Sequence, residues 1–460
     1  NITESGFAAR KRGFATSIGM LSCSLPMWLS MRSQVSASAA VRLLPGSGKA
    51  KKCIVVYCWG GMSHHETFDP KMTASAEVRG VFGTIQTNIA GYHMSEHIPL
   101  MAQQTDKLAI IRSIHHTDSA HGRGMYWNMT GHKPPRTGNI PPLREDWPSL
   151  AATVSAFRDA PRGVPKAVRL PYPMVDNGTL QAGEYGGFLG INYDPVVIRT
   201  PAGKAWGGVS RTLGSEVLDL GEEKDLPQLQ RRNQLLSRLE DPLNRESVFQ
   251  NFDHFRELAT DMLINGKVRD AYNLDNEPAK TRESYGDHIG GQSLLLARRL
   301  IEAGVPITQV TCSAGDLNGG SGDMWDTHSD NFNRLKNNLL PVWDQGCSAL
   351  LNDLQDRGML DETLVVFLTE FGRTPKINGN AGRDHYPNVY SVALAGGGIS
   401  GGHIYGSSDV NGAYPRNNPC TPADLHATIF NALGIHHNSE IHDPLGRPLA
   451  ICEGEPLPLL

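Results

Sequence analysis

Histidine and carboxylate residues recur in four short clusters along the chain. The first is Gly60-Gly-Met-Ser-His64-His65-Glu66-Thr-Phe-Asp69, and the second is His115-His116-Thr-Asp118-Ser119-Ala-His121-Gly-Arg123. The third is Trp325-Asp326-Thr-His328, and the fourth runs Glu370-Phe-Gly-Arg373 and on to Gly382-Arg383-Asp384-His385. Imidazole and carboxylate together suit a hard or borderline divalent ion such as Zn, Mn, Fe, Mg or Ca, and no cysteine in the clusters offers a thiolate. Each cluster alone has a plainer reading: Asp326 caps a turn, His115-His116 lie on the surface, Glu370 caps a loop. Their chemistry becomes specific only if the fold carries the four to one place.

The elements that would do so are legible. Each cluster follows a short apolar run that reads as a buried strand: Cys53–Cys58, Leu108–Ile111, Val305–Val310 and Thr363–Leu368, with a further run at Val389–Ala395. Helical patterns lie nearby, at Gly291–Glu302, Phe332–Arg357 and Pro422–Leu433. Strands alternating with helices predict a three-layer α/β/α domain with a mostly parallel central sheet over about 46–455, with chemistry beyond the carboxyl ends of the strands. Residues 183–285 read as a helical insertion or cap, with helices at Gln228–Leu239 and Ser247–Ile264.

Composition narrows the partners. The 460 residues carry 43 Lys and Arg against 47 Asp and Glu, a net −4, so there is no basic footprint for nucleic acid. With 49 Gly and 29 Pro, a coiled coil or membrane bundle is excluded. Seven cysteines at 23, 53, 58, 312, 347, 420 and 452 form no C-x-x-C pair; Cys53 and Cys58 read as small core residues, and any of the last six could pair. Residues 1–45 run from Arg10-Lys11-Arg12 through an uncharged stretch to Met31 and then Ala37-Ser38-Ala39-Ala40, the order of an export signal. Lys11-Arg12-Gly13-Phe14 resembles a twin-arginine (Tat) signal with Lys in place of one Arg, which predicts a periplasmic or extracellular protein with no stable membrane span after cleavage.

Longer motifs carry a resemblance. Leu360-Asp-Glu-Thr-Leu-Val-Val-Phe-Leu-Thr-Glu-Phe-Gly372 is similar to a sulfatase segment in which Leu-Asp-Asp-Thr leads into a strand. Met129-Thr-Gly131 resembles the end of the sulfatase nucleophile motif, and Ala423-Asp-Leu-His-Ala-Thr-Ile-Phe-Asn-Ala-Leu-Gly434 resembles its late helix. The chain thus resembles the alkaline phosphatase/sulfatase superfamily. Trp325-Asp-Thr-His328, Glu370-Phe-Gly-Arg-Thr-Pro375, Gly382-Arg-Asp-His385 and Ala395-Gly-Gly-Gly-Ile399 make it resemble more closely that superfamily's domain-of-unknown-function 1501 branch.

The resemblance implies an alkaline-phosphatase-like fold, one or two divalent metal ions and hydrolysis of a sulfate or phosphate ester. The anionic substrate expected is a sulfated or phosphorylated carbohydrate. It places metal ligands at His64, Asp326, His328, Glu370, Asp384 and His385, and catalytic groups at His121, Arg123 and Arg373. Where the superfamily has metal-binding Asp after the first strand, this chain has Gly60-Gly61; its nucleophile position holds His121, and Phe371 replaces a ligand. Three readings stay open: a hydrolase whose metal centre is rebuilt around His64, His121, Asp326, His328, Glu370 and His385, a non-catalytic binding protein on the same scaffold, and a metal-dependent mutase or transferase.

Overall fold

The structure, a computed structural model, describes residues 47–198 apart from 139 and 177, residue 231, and residues 257–262, 265–312 and 324–460; the leader expected at 1–45 lies outside them. Among the described residues, eight strands form one central sheet: β1 (Lys52–Tyr57), β2 (Leu108–Ile114), β3 (Ala167–Leu170), β4 (Val196–Val197), β5 (Ile307–Thr311), β6 (Thr363–Leu368), β7 (Tyr390–Ala395) and β8 (His403–Tyr405). Their order is β8-β2-β7-β6-β1-β5-β3-β4. Only β7 runs antiparallel to its neighbours, so β1, β2, β3, β5 and β6 all deliver their carboxyl ends to one edge.

The alternation of side chains along β1 explains the layers. Ile54, Val56 and Cys58 point into one apolar core, and Cys53, Val55, Tyr57 and Trp59 into the other. On the first side lie α3 (Ile289–Ala303) and α4 (Leu340–Asp356), with Leu294, Leu350 and Leu351 among the contacts. On the second lie α1 (His121–Thr130), α2 (Leu150–Phe157) and α5 (Pro422–Ala432), which contribute Met129, Leu150, Leu425 and Phe430. The result is the three-layer α/β/α fold, and each large aliphatic side chain so buried contributes about 1.5–3 kcal/mol. Helix α5 begins where Thr421 and Asp424 form a reciprocal capping box around Pro422.

The helix expected over Phe332–Arg357 is continuous only in outline. It starts as Asn331–Arg334, widens to a π-helical turn at Leu335–Leu339 and becomes α4. Pro341 lacks the N–H that an α-helix would need there, and the wider turn just before it accommodates the loss. In the span 183–285, several described residues join the layers. Val196–Val197 is the edge strand β4 beside β3, and Ile198, Val268, Tyr272 and Tyr285 lie in the first core. Apart from Arg231 and 257–262, the helices expected at Gln228–Leu239 and Ser247–Ile264 fall outside the described residues.

The six cysteines from Cys53 to Cys452 are free and buried, acting as small core groups. Among the described residues no helix is long and apolar enough to cross a membrane.

Burial leaves several histidines neutral. His116, His132 and His426 are each pushed down to about 4 by desolvation, against hydrogen bonds to backbone carbonyls that oppose it. The unfolded chain, with imidazoles near 6.5, takes up these protons first, so stability is fully present above about pH 6.5 and is lost as pH falls towards 4. Thermal melts should therefore show a falling midpoint between pH 7 and pH 4.5, with a shallower slope for His426→Gln. A midpoint flat across that range would contradict the assignment.

Candidate metal centre

Four strand ends bring the clusters together. His121 is the first residue of α1, which follows β2; Glu370 follows β6; Trp325 and Asp326 meet the Gly60-Gly61 turn that follows β1. His385 is presented by a two-residue ribbon in which Gly372–Arg373 pairs with His385–Tyr386.

Three imidazoles surround the Asp326 carboxylate in one orientation. His121 Nε2 is 3.3 Å from Asp326 Oδ2, while His328 Nε2 and His385 Nε2 are each 3.1 Å from Oδ1. Each opposite nitrogen is held by an acceptor: His121 Nδ1 by Glu370 Oε1 at 2.7 Å, His385 Nδ1 by the Ser119 carbonyl at 2.7 Å and His328 Nδ1 by Asp384 Oδ1 at 2.8 Å. With Nδ1 held in each ring, Nε2 faces Asp326, donating to it while the imidazole is charged and offering a lone pair to a cation once that proton is lost. The candidate ligand atoms of His121, Asp326 and His385 all lie within 4.8 Å of one another. Two atoms at about 2.0–2.1 Å from one tetrahedral ion are about 3.3 Å apart, so the observed spacings and the nitrogen–oxygen donor set fit a divalent ion.

Two arginines fix this arrangement from behind. Arg373, fully enclosed, donates to Asp326 Oδ1 at 2.6 Å and also to the carbonyls of Gly60, Gly61, Trp325 and Arg383. Arg383, also enclosed, pairs with Glu66 at 2.6 Å and donates to Thr374 O and Val78 O, which anchors the loop carrying Asp384 and His385. At Gly60 the backbone has φ +117, and a Cβ would lie 2.4 Å from Asp326 N. The turn after β1 therefore leaves room for the Asp326 backbone instead of supplying a carboxylate of its own. The Glu370 carbonyl accepts from His116 Nε2 at 2.6 Å and from Asn128 Nδ2 at 2.9 Å, which ties α1 to the end of β6.

Charge in the cluster is unequally shared. Burial works against a proton on His121, but hydrogen bonds to Asp326 and Glu370 outweigh it and raise the imidazole to about 9. Asp326 lies well below the usual carboxylate range: burial opposes this, and His121, His328, His385 and Arg373 overcome it. His385 is lowered by burial, with the charges of His121 and Arg373 adding to the effect. Two carboxylates, Asp326 and Glu370, face His121 from opposite sides of its ring.

The placements differ from expectation in instructive ways. His64 is not brought to the cluster. It is buried beside His65 with Nε2 2.9 Å from the Gly412 carbonyl, because the chain after Gly61 turns towards the 411–412 loop. Glu370 and Asp384 reach the site as carboxylates that orient His121 and His328 rather than in the group of three. Arg373 is enclosed, so it positions Asp326 and cannot reach a substrate. Arg123, two residues after His121 on α1, pairs with Asp118 at 2.6 Å and joins none of the three imidazoles. The sequence offered no signal for Asp176, which lies in a short hairpin after β3 and is near enough to feel the charges of His121, Asp326 and Glu370. Nor did it show the roles of the Ser119 carbonyl and Asn128, which depend on backbone geometry and long-range packing.

A three-layer α/β protein with a histidine–carboxylate cluster at its strand ends is thus the class that fold and site define. A family profile described as "Protein of unknown function (DUF1501)" matches residues 50–458, and the chain belongs to that family. No curated protein matches it. Similar solved structures include the lipoteichoic acid synthase LtaP from Listeria monocytogenes, 11% identical with TM-score 0.38 over 86% of this chain and 76% of that one. A protein in the alkaline phosphatase superfamily from Vibrio parahaemolyticus is 11% identical with TM-score 0.39 over 88% and 73%. The phosphonate monoester hydrolase SpPMH from Silicibacter pomeroyi is 11% identical with TM-score 0.38 over 89% and 76%. Likeness at this level carries no inference about chemistry.

The two arginines should separate on mutation. Arg373→Ala leaves a carboxylate and four carbonyls without their donor and is expected to cost about 3–5 kcal/mol in chemical denaturation. Arg123→Ala, which breaks a partly exposed pair, should cost about 1 kcal/mol or less. Equal losses would contradict the separate roles.

Proposed function

We propose that this protein is an exported, metal-dependent hydrolase of sulfate or phosphate esters. Its divalent ion would be held by His121, Asp326 and His385, with His328 beside them. One observation carries the reading: three imidazoles, each with Nδ1 held by an acceptor, turn Nε2 towards a single carboxylate. The nitrogen-rich donor set favours Zn or Fe over Mg or Ca.

When bound, the ion would polarise the ester oxygen and lower the pKa of a water molecule. The protein's own groups do the positioning. Glu370 and Asp384 hold the Nδ1 protons of His121 and His328, and Arg373 fixes the Asp326 carboxylate. Because both nitrogens of His121 are engaged in this way, the residue reads as a ligand and not as a covalent nucleophile, and water becomes the attacking group. Of the two arginines expected to be catalytic, Arg123 is the one solvent reaches, with 20% of its side chain exposed, and it is assigned to the anionic oxygens of the ester. A sulfated or phosphorylated carbohydrate is the proposed substrate, and the Tat-like leader supports a periplasmic or extracellular location.

Purified mature protein should contain close to one equivalent of a transition metal by elemental analysis. At about 100 times the dissociation constant, added Zn or Mn should stabilise the metal-free form by about 2.7 kcal/mol. Asp326→Asn and His385→Ala should abolish both effects, while His64→Gln should keep them. A protein that neither carries metal nor gains stability from it would refute the reading. Metal binding without turnover of any aryl sulfate, phosphate or phosphonate ester would favour the binding-protein alternative.

A further inference from the structure

We propose, resting on the hydrolase reading above, that Tyr386 and Tyr414 form a carbohydrate subsite: an aromatic platform for a sugar unit next to the one that carries the ester. Tyr386 follows His385 on the short strand that pairs with Gly372–Arg373. Consecutive Cα atoms lie about 3.8 Å apart, and successive strand side chains point to opposite faces. His385 turns its ring to Asp326 at 3.1 Å, so Tyr386 stands on the other face of the same ribbon, one residue from the cluster.

Tyr414 makes a corner with it. The two rings lie 6.4 Å apart, centroid to centroid, at 65°, an edge-to-face arrangement. Tyr386 is half-buried and Tyr414 is 58% exposed, which leaves ring surface open to solvent. Asn388 and Tyr414 are the side-chain partners of the Tyr386 hydroxyl. The corner therefore offers flat apolar surface edged by phenol hydroxyls and an amide. A pyranose has the matching chemistry, with C–H groups on its ring faces and hydroxyls around its rim.

The loop that carries Tyr414 is fixed rather than free. Residues 409–414 connect Ser407–Ser408 to Pro415–Asn417, which pair as a short hairpin. Asp409 Oδ1 accepts from Asn411 N at 3.0 Å and from Ala413 N at 2.8 Å, and its Oδ2 accepts from Tyr414 N at 3.2 Å. From beneath, His64 Nε2 donates to the Gly412 carbonyl and His65 Nε2 to the Asn411 carbonyl, each at 2.9 Å. Both imidazoles are buried, and a Cβ at Gly412 would lie 2.8 Å from His65 Nε2. The first histidine cluster thus acquires a role away from the metal centre: it anchors the loop that presents Tyr414. An aromatic ring held in place in advance binds with little ordering cost.

The test uses wild type, Tyr414→Ala, Tyr414→Trp and Gly412→Ala on an array of immobilised neutral, sulfated and phosphorylated oligosaccharides. Zn affinity is measured by calorimetry on each metal-free protein, and wild type is assayed for turnover of 4-nitrophenyl sulfate and phosphate. Wild type should bind a subset of the array, and Tyr414→Ala should weaken that binding by about 10-fold or more. Tyr414→Trp, which keeps a ring, should retain it. Gly412→Ala, which pushes the loop off His65, should weaken it as Tyr414→Ala does, and Zn affinity should be unchanged in every variant. No oligosaccharide bound by wild type, or binding that follows sulfate or phosphate number and ignores Tyr414, would overturn the subsite. A fall in Zn affinity that parallels the loss of glycan binding would overturn it as well, by assigning the effect to the cluster. Full binding by Gly412→Ala would overturn the anchoring role of His64 and His65. Tyr414-dependent glycan binding by a wild type inert on both esters would support the subsite and remove the hydrolase reading alone.

Discussion

Everything in the site turns on the Asp326 carboxylate. It is approached by three imidazole nitrogens and by the Arg373 guanidinium, and that guanidinium is itself fixed by four backbone carbonyls from three separate segments. A carboxylate so surrounded stays ionised and stays in place, because each partner favours its charged form. Moving it would require the turns after β1 and β6, the loop before α4 and the Arg383 loop to move with it. The fold thus supplies a rigid acceptor and lets the histidines arrive around it.

This explains how a chain with Gly60-Gly61 after its first strand still gathers a carboxylate and three imidazoles at its strand ends. The space that a carboxylate there would occupy is taken by the backbone of Trp325 and Asp326, which a Cβ at Gly60 would obstruct. The acid is supplied from the neighbouring strand end instead. Glu370 keeps its place at the end of β6 but acts one step back, on His121. Orienting carboxylates of this kind set ring tautomer and ligand basicity, so their position matters almost as much as that of the ligands.

Much of this was legible in the sequence because it rests on local pattern. The five apolar runs formed strands, since runs of Val, Ile and Leu bounded by glycine suit a sheet covered on both faces. His121, Asp326, His328 and His385 stood out because they follow strands. What escaped was set by distant packing. His64 carries the same residue type as the clustered imidazoles, and only the 411–412 loop diverts it. Arg373 was expected as a catalytic group, and its burial behind Asp326 depends on packing that no local pattern shows. Strands β3, β4 and β8 are too short to announce themselves, and Asp176 was missed with them.

The most direct test is a crystal structure of the protein soaked with Zn or Mn, with anomalous data collected at the metal edge. The account predicts one strong peak at about 2.0–2.2 Å from His121 Nε2, an Asp326 carboxylate oxygen and His385 Nε2. No peak among these three residues, or a peak only at His64 and His65, would contradict it.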